Sequence, residues 1–89
     1  MILPSIKEYF HLTDDQEQHI TSQQADILMF IYRFGSITPM DAFNELWITK
    51  LSTRVSEMKA MGISFDQKYE SRVNLSGRRV HYMRYRRAA

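Results

Sequence analysis

Ten of the twelve Lys and Arg side chains fall between Lys50 and Arg87, against only Glu57, Asp66 and Glu70. Residues 1–49 are the reverse, with Lys7 and Arg33 set against seven carboxylates. The formal charge of +2 conceals that division. Cations gathered in one half of a chain bind polyanions: each can neutralise a phosphate, and an Arg fork can grip a guanine edge. All but Lys68 fall into three groups. Lys50, Arg54 and Lys59 recur at helical spacing among Ser52, Thr53 and Ser56, whose small hydroxylic side chains allow close approach to a groove. Arg72, Arg78 and Arg79 flank the turn-forming run Asn74-Leu75-Ser76-Gly77, and Arg84, Arg86 and Arg87 follow. A basic solvated tail accounts for the last group but not for the first.

Other chemistry is poorly supported. The absence of cysteine excludes disulfides, thiolate metal sites and a thiol nucleophile. His11 and His19, with Asp15 between them, suit a helical metal site only if a helix runs there. The polar run from Thr13 to Gln18 reads instead as a loop, and no third ligand is evident. Gly35, Gly62 and Gly77 are isolated, so no phosphate-cradling glycine loop exists, and no Ser-His-Asp grouping stands out. A chain of 89 residues, 44% hydrophobic and 25% charged, builds one modest core rather than a deep enclosed active site. The expectation is a protein that is not an enzyme and has no cofactor and no metal. The longest apolar run, Ile27 to Tyr32, falls far short of the roughly 20 residues that span a bilayer. Met1-Ile2-Leu3-Pro4 lacks the order of a signal peptide, so the chain is expected to be cytoplasmic and to have no membrane partner.

The elements that must carry the cations follow from periodicity and caps. Residues 1–20 read as an N-terminal arm, with a short helical turn after Pro4 suggested by Ile6, Tyr9 and Phe10. Thr21 with Gln24 is a capping box, and Gly35 a left-handed stop, so a helix runs from Thr21 to Phe34. It carries two apolar stripes, Ala25/Leu28/Met29/Tyr32 and Ile27/Phe30/Ile31/Phe34. Such a helix is central in the core, or is covered by a partner chain. Thr38 and Pro39 start a short helix whose Ala42, Phe43 and Leu46 are expected to face inward, with a break near Trp47-Ile48. Thr49 is expected to cap the next helix, which buries Leu51, Val55 and Met58 and ends at Gly62. Alternation from Ile63 to Glu70 and from Arg78 to Tyr85, around the Asn74–Gly77 turn, predicts a hairpin. Val80/Tyr82 and Met83/Tyr85 compete for the buried face of its return strand.

That order is the order of an α+β winged helix-turn-helix domain over residues 21–87: a three-helix core followed by a C-terminal β-hairpin wing. The later helix, about 49–61, would enter the major groove, roughly 12 Å wide, while the wing reaches backbone or minor groove. The stretch from Ser36 to Met61, SITPMDAFNELWITKLSTRVSEMKAM, also resembles the small helix-turn-helix proteins of phages and prophages. In these an ITP-x-(D/E)-A opening leads through a short turn to an Arg-apolar-Ser-x-apolar-Lys/Arg run. Here that run is Arg54-Val55-Ser56-Glu57-Met58-Lys59, and Gly62-Ile63 begins the wing. The resemblance covers about residues 21–85 and implies a winged helix-turn-helix fold and DNA binding in phage gene control. Two departures stand out. Trp47 occupies a turn position where the group commonly has Gly, and it is expected to plug the core. Val55 and Met58 lie about two residues later than in a compact helix-turn-helix, which favours the longer winged-helix turn.

The expected DNA-binding residues are Lys50, Ser52, Thr53, Arg54 and Ser56 on the helix, with Arg72, Arg78 and Arg79 on the wing. Arg84, Arg86 and Arg87 would add non-specific affinity. Arg54 has a competing use as the ion-pair partner of Glu57. Tyr82 and Tyr85 read as half-buried strand residues rather than base-stacking platforms. The expected partner is double-stranded DNA, bound by a homodimer formed through the arm and helix 21–34. The rival reading is a protein-binding module of the same fold that antagonises a host or phage factor. The acidic first half, the doubly apolar helix and Trp47 motivate it.

Overall fold

The computed structural model describes residues 2–89; Met1, first residue of the expected arm, lies outside the described residues. Five helices precede one antiparallel hairpin: α1 (Pro4–Phe10), α2 (Asp14–His19), α3 (Ser22–Phe34), α4 (Pro39–Leu46), α5 (Leu51–Ala60), β1 (Phe65–Val73) and β2 (Arg79–Arg87). Three helix starts are built the same way. The hydroxyls of Thr13, Thr21 and Thr38 each accept a backbone N–H three residues on, while the side chains of Gln16, Gln24 and Asp41 accept the threonine's own N–H. The caps satisfy donors that a helix start leaves bare. Gly35, at φ 89°, stops α3 in the left-handed region, as its lack of a Cβ permits.

The core gathers around α3. Ile27, Leu28 and Ile31 pack with Ile37, Ile48, Val55 and Met58, all essentially excluded from water. The arm covers the Tyr32 side of α3 from within the chain, while Phe34, at the end of the other stripe, stays 66% exposed. Ile2, Ile6, Phe10 and Leu12 of the arm join the same cluster, and Tyr9 meets Tyr32 edge to face with centroids 5.2 Å apart. The polar run expected as a loop at Thr13–Gln18 instead forms α2. It buries no residue, so it has no apolar stripe for periodicity to find. Its hold on the body is polar: Gln16 Nε2 donates to the carbonyl of Met61 at 3.0 Å.

The segment before α5 departs from expectation at three residues. Trp47 adopts the left-handed region at φ 59°, and this reversal turns Ile48 into the core while the indole remains 84% exposed. Ile48, not Trp47, is the plug. Phe43 is 53% exposed rather than inward-facing, because Ala42 and Leu46, four residues apart, hold the inner stripe and Phe43 lies about 100° round the helix. Thr49 does not cap α5; the capping position is Lys50, one residue later.

The hairpin pairs Phe65 with Arg87 at its base and Val73 with Arg79 near its tip. Asn74 closes the turn, its Oδ1 accepting N–H from Ser76 at 2.9 Å and Arg78 at 3.0 Å. Tyr85 decides the competition for the buried face. It is buried beside Phe65 with Met83 packed behind, and it exchanges backbone hydrogen bonds of 2.8 and 2.9 Å with Ile37. Ile37 thus forms a one-residue third strand at the hairpin's edge. Beyond this base the hairpin projects, giving an elongated molecule of 46 × 25 × 22 Å.

Candidate nucleic-acid interface

Leu51, Val55 and Met58 anchor one side of α5 in the core. At about 100° per residue, Thr53, Ser56 and Ala60 then point away from the body. Ser52 and Lys59 stand on one shoulder of that face, Glu57 and Arg54 on the other; all but the half-buried Arg54 are exposed. Two glutamines hold the C-terminal half of the helix, and each is also a capping-box residue. Gln24, 3% exposed, donates Nε2 to Glu57 Oε1 at 3.1 Å, while Gln16 holds the carbonyl at Met61. The support from the arm was not legible in sequence, because it is a contact across 45 positions.

The start of α5 differs from those of α2, α3 and α4. Lys50 makes no side-chain cap, and, as in α3, the first turn has no acidic residue. The first intrahelical bond is Arg54 N–H to Lys50 C=O at 3.1 Å, so no side chain caps the amides before it. A helix start carries about half a positive charge; here the exposed Lys50 ammonium adds to it. Such an end favours a phosphate group.

Arg54 is restrained. Its Nη1 donates to both carboxylate oxygens of Glu57 at 3.1 Å, and its buried Nε has no partner among the described residues. The ion pair foreseen as its competing use is therefore present, on the flank of the outward face.

The wing arginines do not share one face. Strand residues alternate sides and paired residues share a side, so the register puts Arg79 with Tyr69, His81 and Tyr85 on the core-facing side. Arg72 falls on the opposite side with Val80 and Tyr82. Arg79 donates to Ser71 Oγ at 3.1 Å, and at the base of the same side Lys59 of α5 donates to Gln67. Arg72 instead overhangs an open groove of about 620 Å³ bordered by Met40, Asp41, Leu75 and Val80. Arg78 follows the turn, exposed.

Two of the last arginines are tied into the fold. Arg84 donates Nε to both oxygens of Glu70 at 3.0 Å and Nη1 to Ser36 Oγ at 2.8 Å. Through that hydrogen bond the Arg84 guanidinium holds the Glu70 carboxyl below the usual carboxylate range. Arg87 lies 4.2 Å over the ring of Tyr9, joining wing and arm. Burial raises the pKa of the Tyr85 phenol. His11 ends α1 and His19 lies in α2, so they do not share a helix, and among the described residues no cluster of three metal-ligating side chains occurs. No helix is long and apolar enough to cross a membrane.

A sequence model of the winged helix-turn-helix domain matches residues 22–86. No curated protein and no solved structure matches the chain. The match runs from the first turn of α3 to the end of β2, spanning the three core helices and the wing, well over half of the chain. The chain belongs to the winged helix-turn-helix domain family, a membership that suggests DNA as its partner.

Proposed function

We propose that this protein is a sequence-specific double-stranded DNA-binding regulator of phage or prophage type, with α5 in the major groove and the wing on backbone or minor groove. The observation that carries this reading is the outward side of α5: an uncapped, cation-bearing start leading into small hydroxylic residues. Lys50, Ser52 and Thr53 meet the first phosphates and base edges, Ser56 lies one turn deeper, and Arg54 reads from the flank. Arg78 and Arg79 contact the backbone beside α5; Arg72, on the other side of the wing, joins them where the duplex bends round the hairpin. Residues 1–20 act as an arm and residues 21–87 as the DNA-binding unit. The protein works in the cytoplasm, without cofactor, metal or enzymatic activity. It binds as a homodimer, because one domain offers few base contacts and paired half-sites multiply them. The dimer contact lies on the outer side of the arm and α3, where Leu3 and Phe34 are exposed.

The test is selection from a randomised duplex pool together with sedimentation of the free protein. Enrichment of a palindrome with two half-sites, and a dimer mass, are the expected results.

One observation favours the rival protein-binding reading. The outer side of α4 exposes Met40 and Phe43, flanked by Asp41 and Glu45, and residues 34–49 contain no Lys or Arg. Under that reading Met40→Ala with Phe43→Ala removes activity, and charge reversal on α5 leaves it intact.

A further inference from the structure

We propose that Trp47 is a DNA contact, a side chain held outside the fold so that its indole meets the duplex where α5 enters the groove. This rests on the DNA-binding reading above and adds a residue that the reading does not contain.

Three observations meet at Trp47. Its indole, the bulkiest side chain the chain possesses, is 84% exposed. Its backbone sits at φ 59°, in the region where a Cβ crowds the following carbonyl and glycine is the relaxed choice. It stands three residues before Lys50, at the mouth of the uncapped helix start. The strain is offset within the fold, since the left-handed cap turns Ile48 into the core and lets its N–H reach the Ala42 carbonyl at 3.0 Å. The exposure is not, for among the described residues no ring or cation stacks on the indole. The cap needs only the backbone, which glycine would supply without strain, so an indole kept at this position and left in water points to a partner outside the chain.

The surrounding charge identifies the partner. The rest of α4 carries Asp41 and Glu45 on its outer turns and repels phosphate. Trp47 comes after these, where the field changes sign towards Lys50 and the positive end of α5. There the indole N–H, which only donates, matches a phosphate oxygen, and the ring lies against sugar. A contact of this kind fixes how deeply and at what angle α5 enters the groove.

Trp47 is the sole tryptophan, so intrinsic emission reports on it alone. The experiment titrates the protein with duplex DNA of randomised sequence, following emission and, in parallel, the anisotropy of labelled duplex. Emission is expected to be quenched and blue-shifted over the range where anisotropy rises. Trp47→Gly is expected to melt higher, by about 4 °C, because the strain is relieved, while its Kd for duplex rises about tenfold, the equivalent of ~1.4 kcal/mol. Trp47→Phe keeps the strain and the melting temperature, and loses a smaller part of the affinity with the N–H. A purely structural tryptophan gives the opposite pairing, with Trp47→Gly less stable, and that result overturns the proposal. A rise in anisotropy with unchanged emission, or wild-type binding by Trp47→Gly, overturns the Trp47 contact and leaves DNA binding standing. No duplex binding at all overturns both, and transfers the indole to the protein-binding side of α4.

Discussion

Arg54 is already paired before any DNA arrives. Its bond to Glu57, three residues on, is partly exposed, and pairs of that kind contribute only about 0.3–0.5 kcal/mol. Its value is orientation: Gln24 fixes Glu57, and Glu57 fixes the guanidinium. Arg54→Ala is therefore expected to shift thermal stability little. It should lower discrimination between the best site and a one-base variant by about 1–3 kcal/mol, measured as a ratio of Kd values. Glu70 makes a different prediction. Because Arg84 depresses its folded pKa, Glu70 contributes stability that is fully present above the ordinary glutamate value of about 4.3. That contribution is lost as pH falls through the lower folded value. Glu70→Gln is expected to be less stable than wild type near neutrality and to show a flatter acid limb in denaturation followed from pH 7 to acid; identical acid limbs would contradict the pairing.

Elements whose causes are local were legible in the sequence. The Thr21–Gln24 capping box, the Thr38 cap with Pro39 after it, the Gly35 stop, the Leu51/Val55/Met58 stripe and the Asn74–Gly77 turn each depend on residues within a few positions, and each is present. What was missed depends on distance in the chain. α2 has no buried stripe and is held by Gln16 reaching Met61, and Tyr85 is decided by a bridge to Ile37. Trp47 was misread because volume alone argued for burial. A left-handed residue at a helix end instead sends its successor inward, and the Gly usual at that turn position was the available signal. The eight expected contact residues were legible as types, but the division of the wing into two sides needed the register. That division makes a prediction. Arg79, on the side continuous with α5, should contact a phosphate along with it, so Arg79→Ala is expected to make the log–log salt slope of duplex binding shallower by about 0.9. Arg72→Ala, beside Asp41 and the α4 groove, is expected to change it less. Equal effects would contradict this ranking of the two sides of the wing.

Over the whole molecule, the charge division seen in sequence becomes a division of labour. The acidic first half supplies α1 to α4, which build the core and seat α5; the basic second half supplies α5 and a wing extending along the 46 Å axis. The arm belongs to this scaffold, since its apolar residues complete the core and its Gln16 and Tyr9 secure the end of α5 and the base of the wing. All of this leaves the start of α5 open and positive, and that is where the functional reading is most exposed to test. Lys50→Asp places a carboxylate at the helix start, where it favours the helix by about 0.3–1 kcal/mol, while reversing the charge offered to DNA. The decisive measurement is duplex binding by anisotropy across a salt series for wild type and Lys50→Asp, with melting temperatures of both. The account predicts tight, salt-steep binding by wild type and at least a tenfold weaker, shallower curve for a variant that melts no lower. Equal affinities for the two proteins, or no binding by wild type at low salt, would contradict it.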